Sequence, residues 1–380
     1  MKWFSPKRRY LPDVFALLLL SAGASAVVAF PLWRQILSQY SPDGRVEPVT
    51  WLYVQSLIIS AIIPGLVLLM RRALVRWLGI ADNWLASLSR RQFIAAIIIL
   101  SIAVRMMVIA LLPSVLHSDW LAYHELASTW ADTGDYRSQG LLTAYWPPGW
   151  PWVLSRLYLV FGPEPLAGYV WNLCLSGAII VLTFLIARHV WDERHARWTA
   201  VITGLLPSQI LFTNKLCSEF TFAALFLASV YLALRASSGR SYWWLSVFSG
   251  LALGLATLTR TVTALYPIIL LTLFWGLRNA RPVKLGRWTI IVVAMAVVIT
   301  PWCWRNYEVM GRFTIATNTG VNLYVGNNPQ ALGTPAEPDA RIIDSGNTSQ
   351  ERYNDSLGTA LTIDNVREQP VQFLKRLPVK

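Results

Sequence analysis

Three uncharged apolar runs, 14–33, 51–70 and 93–104, constrain this chain more than any other feature. An α-helix rises about 1.5 Å per residue, so about 20 apolar residues cross the roughly 30 Å of a bilayer core. Composition points the same way. Of the 380 residues 55% are hydrophobic and 14% charged, where soluble domains carry about 25% charged residues. Mean hydropathy is +0.45. So few charges cannot cover a water-facing surface, which argues against a soluble α/β enzyme, a disordered chain or a disulfide scaffold. The fold class expected is an all-α polytopic membrane protein.

Apolar segments bounded by charge or by Pro and Gly fall at 14–33, 51–70, 93–113, 166–187, 198–213, 219–234, 243–258, 262–277 and 288–303, nine candidate spans in all. The first resembles a signal peptide in its basic start and small residues at 22–26, but it runs on to Trp33 and reads better as an uncleaved helix. With the N-terminus inside, the inner loops hold eighteen Lys and Arg, and the outer loops before residue 304 hold six. That asymmetry fixes an N-inside, C-outside expectation. It also reassigns the net charge of +13. In a soluble chain such an excess would suggest nucleic acid; here it marks topology and the anionic inner leaflet, and no nucleic-acid partner is expected. The segment 150–162 is apolar but short and carries Arg156, and is expected as an interfacial or half-inserted outer helix. Three parts follow: two N-terminal spans and an inner loop at 1–90, a core at 91–303 with an outer loop at 114–149, and an outer tail at 304–380. The amphipathic stretch 361–377 would lead into a further span. Cys174, Cys217 and Cys303 show no metal-binding spacing.

Acidic residues sort the other way. Sixteen of the twenty fall outside, four of them within 119–135. Asp119, Tyr123, His124 and Glu125 sit within seven residues, and a helix over 119–130 would put Asp119 and Tyr123 on one face. Asp119 is the natural general base of such a group, or else a carboxylate near a helix cap. His117, Asp119, His124 and Glu125 offer a divalent metal set as an alternative, at a spacing that matches no strong metal motif. Arg105 lies inside the third span, where a charge is costly and normally faces a cavity or a partner. Lys215 and Glu219 open the sixth span, Arg260 interrupts the stretch between the seventh and eighth, and Arg305 follows the ninth. All four are expected on the outer face with Asp119. Cations suit a lipid-linked phosphate, and a carboxylate suits deprotonation of an acceptor hydroxyl.

The order of these pieces resembles the membrane-embedded GT-C glycosyltransferases of family 39, the group of protein mannosyltransferases and aminoarabinose transferases. The resemblance covers about 90–335. It rests on Arg105, then Asp119 and Tyr123, Gly134 and Tyr136, and Tyr145-Trp146-Pro147-Pro148-Gly149-Trp150-Pro151. Further along come Ser218-Glu219, Gly254 to Arg260, Thr300 to Asn306, and Gly320 to Pro329. Many relatives carry a basic residue before Pro-Pro, where this chain has Trp146, so that phosphate contact is not carried over.

The resemblance implies a GT-C-like bundle and an inverting transfer of a sugar from a polyprenyl-phosphate donor to a lipid, glycan or protein, on the extracytoplasmic face of a bacterial inner or plasma membrane. It implies Asp119 as the catalytic base, with Arg260 and Arg305 at the donor phosphate and Glu219 at the sugar or a cation. Arg105, Tyr123, Glu125, Tyr145 and Lys215 complete the expected donor and substrate contacts. No cofactor, free metal or nucleotide is called for. A polyprenyl-lipid flippase and an inactive accessory subunit are the alternatives; a flippase would more naturally show pseudo-symmetric halves and polar groups at the midplane.

Overall fold

The computed structural model describes residues 70–112, 114–237, 243–276, 281–328, 348–371 and 373. The expected spans at 14–33 and 51–70 lie outside the described residues, apart from Met70 at the end of the second. The chain divides into two compact units. One comprises Leu88–Leu323 with Pro338–Ala360, the other Met1–Ser87 with Tyr324–Glu337 and Leu361–Lys380. The first part of the tail therefore packs with the core.

In the second of these units, helix α1 (Arg71–Ser87) occupies most of the expected inner loop. In the core unit, α2 (Arg90–Leu111) starts on a capping box: the Gln92 amide donates to the Ser89 hydroxyl while the Ser89 amide donates to the Gln92 side chain. Its buried residues Phe93, Ile97, Ser101, Arg105 and Val108 repeat every three or four positions and form one stripe. Large apolar residues elsewhere on it, such as Ile99 and Met106, are exposed, as a lipid-facing surface requires.

After the outer segment come α3 (Asp119–Thr133), a hairpin of β1 (Arg137–Ser138) and β2 (Leu141–Leu142), and α4 (Gly149–Phe161). The hairpin departs from the all-α expectation. Its two linking residues, Gln139 and Gly140, both have positive φ, the backbone of a tight two-residue turn. Helix α4 forms where an interfacial or half-inserted helix was expected.

The remaining core helices are α5 (Pro165–Val190), α6 (Glu193–Gly204), α7 (Pro207–Phe212), α8 (Glu219–Ser237), α9 (Trp243–Thr259), a 3-10 turn (Thr261–Leu265), α10 (Tyr266–Gly276) and α11 (Arg281–Met310). Helix α12 (Thr319–Asn327) and helix α13 (Thr348–Glu368) follow, each beginning in this unit. Among the described residues, four helices are long and apolar enough to cross a membrane: Arg90–Leu111, Pro165–Val190, Glu219–Ser237 and Leu285–Met310. The chain is thus a helical, multi-pass membrane protein. The expected span 198–213 is not one helix: α6 ends at Gly204, and α7 begins with Pro207 after a turn. Proline lacks the amide needed to continue the ladder. The expected span 262–277 likewise divides into the 3-10 turn and α10, and 243–258 is the 17-residue α9.

Small residues set the helix spacing. A Cβ on Gly250 would meet the Ile291 carbonyl and lie 2.6 Å from the Ala294 Cβ, and one on Gly254 would lie 2.7 Å from the Val298 Cβ. Glycines four apart thus let α9 and α11 touch backbone to side chain, the packing membrane helices use where water supplies no driving force. On the other flank of α9, the Ser249 hydroxyl donates to the Ser229 carbonyl at 2.9 Å.

Candidate active site

Asp119 is the first residue of α3. The residue before it, Ser118, has φ 50 and ψ −130, outside the regions an L-residue prefers, and its side chain gives α3 no cap. Strained backbone of this sort costs about 1–3 kcal/mol and persists where surrounding structure imposes it. The Ser118 hydroxyl faces Asp119 Oδ1 at 3.4 Å. Asp119 is open to solvent at its surface, yet the protein crowds it enough to raise its carboxyl above the usual range; Glu219 pushes the same way, while Ser118 and Arg260 oppose.

One turn on, Tyr123 is buried and hydrogen-bonds Ser218, and burial holds its phenol well above the ordinary value. Its ring meets Trp146 edge-on at 5.4 Å, and Trp146 in turn meets Tyr145 at 5.0 Å. The start of α8 supplies Ser218 and Glu219. Arg260, following the last turn of α9, donates from Nη1 to Glu219 Oε1 at 2.6 Å and toward the Ser218 hydroxyl at 3.4 Å. Its guanidinium lies 6.0 Å from the Phe222 ring centre. Both members of the Arg260–Glu219 pair are substantially exposed, with side chains at 43% and 48%, so the pair contributes little to stability and is free to exchange partners.

The Pro-Pro-Gly segment is fitted to this corner. A Cβ on Gly149 would lie 2.5 Å from the Thr259 hydroxyl and 2.8 Å from its Cα. Only glycine lets the start of α4 rest against the residue before Arg260. Four separated stretches therefore meet at the end of the bundle where α2 finishes and α8 begins: Asp119 with Tyr123, Tyr145 to Gly149, Ser218 with Glu219, and Arg260.

Other expected site residues have different surroundings. Lys215 reaches the same end, with Nζ 4.5 Å from the Trp120 ring centre and 3.0 Å from the Ser114 hydroxyl. Glu125 is exposed on α3 beside His124, whose Nδ1 pairs with the Tyr158 hydroxyl at 2.8 Å. Among the described residues no three His, Cys, Asp or Glu are grouped to hold a metal ion, so His117, Asp119, His124 and Glu125 do not form the metal set considered above.

Two expected donor contacts are engaged in structure. Arg105 is fully buried and donates to the Gly204 carbonyl at 2.8 Å and to Ser101, tying α2 to the end of α6; its Nε and Nη2 have no partner among the described residues. Arg305 donates to the Thr143 carbonyl at 2.6 Å, the Tyr136 carbonyl at 3.2 Å and Asn306 Oδ1 at 2.9 Å, and its guanidinium lies 4.9 Å from the Trp302 ring centre. It braces the hairpin against α11.

Sequence reasoning missed Glu351. This carboxylate of α13 accepts from the Thr143 hydroxyl at 2.6 Å, the Ala144 amide at 3.2 Å and the Thr317 hydroxyl at 3.3 Å. Burial raises its carboxyl above the usual range, against those hydrogen bonds and Arg305. No local pattern marks it, because two of its partners, Thr143 and Ala144, are some 200 residues away in sequence.

Residues 146–304 match the family of dolichyl-phosphate-mannose-protein mannosyltransferases. The chain is also 27% identical over 208 residues to an undecaprenyl phosphate-alpha-4-amino-4-deoxy-L-arabinose arabinosyl transferase of Pseudomonas fluorescens; the match covers 50% of this chain. It spans 37% of the length of that relative. No solved structure matches. The resemblance drawn from the ordered motifs, to GT-C membrane glycosyltransferases of the family 39 type, is the one these comparisons support.

Proposed function

We propose that this protein is a membrane glycosyltransferase that moves a sugar from a polyprenyl-phosphate donor to a hydroxyl of a lipid, glycan or protein, with Asp119 as general base. The observation that carries the reading is the meeting of a carboxylate of raised basicity with an exposed guanidinium that also pairs with Glu219. A base works best when its pKa approaches the working pH, and the crowding of Asp119 moves it in that direction.

The acceptor oxygen attacks the anomeric carbon as Asp119 takes its proton. The bond from that carbon to the phosphate oxygen breaks on the opposite face, inverting the configuration and releasing polyprenyl phosphate. Arg260 meets the negative charge that gathers on the leaving phosphate, where electrostatic stabilisation is most effective. Glu219 holds the guanidinium ready before the donor arrives. Tyr145 and Trp146 offer ring faces to the sugar, the buried Tyr123 backs Trp146, and Lys215 adds a second cation at the same end. The scheme draws on no metal, cofactor or nucleotide. The reaction face is extracytoplasmic by the asymmetry of the basic loops, and likeness to a bacterial transferase points to a bacterial inner or plasma membrane.

The test is the full chain in proteoliposomes given a polyprenyl-phosphate sugar and a lipid extract as acceptor. Appearance of free polyprenyl phosphate together with glycosylated acceptor supports the reading. Movement of intact donor between leaflets, without cleavage, would replace it with a flippase.

A further inference from the structure

A second group of cations lines a cleft built from residues other than those that act on Asp119. Gly311, Arg312, Arg352, Tyr353 and Ser356 line an open cleft of about 440 Å³, within the range of small-ligand pockets. Gly311 and Arg312 directly follow the last turn of α11, and the other three belong to α13, all within the core unit.

Both guanidinia are held in place. Arg312 Nη1 donates to Asp355 Oδ2 at 2.6 Å and to the Ser356 hydroxyl oxygen at 3.3 Å. Ser356 spends its own proton on the Arg352 carbonyl at 3.0 Å. Arg352 Nη1 donates to the Met310 carbonyl at 3.2 Å, at the end of α11, where the helix dipole favours a cation. Each arginine thus fixes its fork through one nitrogen, and the Nε and Nη2 edge of each makes no hydrogen bond among the described residues. The one carboxylate close by is occupied. Asp355 is buried, and it accepts the Gly320 amide on Oδ1 at 2.6 Å and Arg312 on Oδ2. That close approach is secured by the glycine itself, since a Cβ on Gly320 would strike the Asp355 carbonyl.

Two guanidinia line one open cleft, each anchored through Nη1 and with its other nitrogens uncommitted, which suits the oxygens of a phosphate that arginine forks bind with geometric selectivity. We propose that this cleft binds a phosphate monoester or diester, separately from the donor phosphate at Arg260. An anionic phospholipid headgroup and a soluble phosphate ester share that chemistry. The position of the cleft, at the end of a helix long and apolar enough to span a membrane, suits the first.

The experiment is native mass spectrometry of the full-length detergent-solubilised protein, titrated in one arm with inorganic phosphate and in the other with phosphatidylglycerol. The wild type is expected to retain at least one of the two, and Arg352→Gln to weaken that binding about ten-fold or more, with an unchanged thermal midpoint. Retention of phosphatidylglycerol alone assigns a headgroup; retention of phosphate in its own arm assigns a soluble ester. Arg352→Lys, which keeps the charge without the fork, is expected to fall between. The proposal is overturned if the wild type retains neither probe, or if Arg352→Gln and Arg312→Lys both bind as the wild type does.

Discussion

At Asp119, two neighbours of opposite sign compete: Glu219 raises the carboxyl pKa and Arg260 lowers it, on top of the larger effect of burial. A general base must be ionised, so transfer falls as pH drops through its pKa. The acid limb of the rate profile is therefore expected above the ordinary aspartate range. Removing the cation in Arg260→Ala takes away a lowering influence and moves that limb to higher pH, while weakening donor binding; a limb that stays in place in a pH–rate series would contradict the assignment. Arg105 makes the opposite case. Its hydrogen bonds run to Ser101 and Gly204, and Arg105→Ala is expected to cost about 2–4 kcal/mol, from lost charged hydrogen bonds and a cavity, in thermal stability. The KM of the folded fraction for donor stays unchanged. A specific rise in KM without loss of stability would return Arg105 to the donor site.

Among the elements, the contact between α4 and α9 is the one that sets the corner proposed for catalysis. Gly149→Ala forces Thr259 and with it Arg260 outward, and overpacking of this kind costs about 1–3 kcal/mol. Activity is expected to fall further than stability, since a shift of about 1 Å at a positioned group can cost about 100-fold in rate. Thermal unfolding and initial rates on the same preparation separate the two effects. The Pro-Pro-Gly motif was visible in the sequence, but the close contact with Thr259 that explains its glycine was not. Hydropathy placed α2, α5, α8 and most of α11 correctly because each is a long apolar run. It misread 198–213, where Leu205 and Leu206 keep the count high across a break that Gly204 and Pro207 impose. The hairpin turn at Gln139 and Gly140 escaped because strands of two residues carry no periodicity.

Across the whole molecule, the tail returns to the core through Glu351, which joins α13 to the segment leading into Pro147 and Pro148. Its pKa is higher folded than unfolded, so the folded state holds the proton more tightly in the window between the two values. Stability must then fall as pH rises through that window. Glu351→Gln is expected to flatten this dependence, and Glu351→Ala to cost about 1–3 kcal/mol by leaving Thr143 and Ala144 without their acceptor; thermal midpoints across mildly acidic to neutral pH check both. Asp119, Tyr123, Glu219 and Arg260 could be picked out as candidates from the sequence because chemistry-bearing residues stand out where apolar runs end. Glu351 and Asp355 could not, since their roles exist only once the tail has folded onto the core. The most direct test of the account is single-turnover transfer from a polyprenyl-phosphate sugar by the reconstituted wild type and by Asp119→Asn. The variant is expected to fold and bind donor as the wild type does and to transfer about 100- to 10,000-fold more slowly; transfer at the wild-type rate would contradict it.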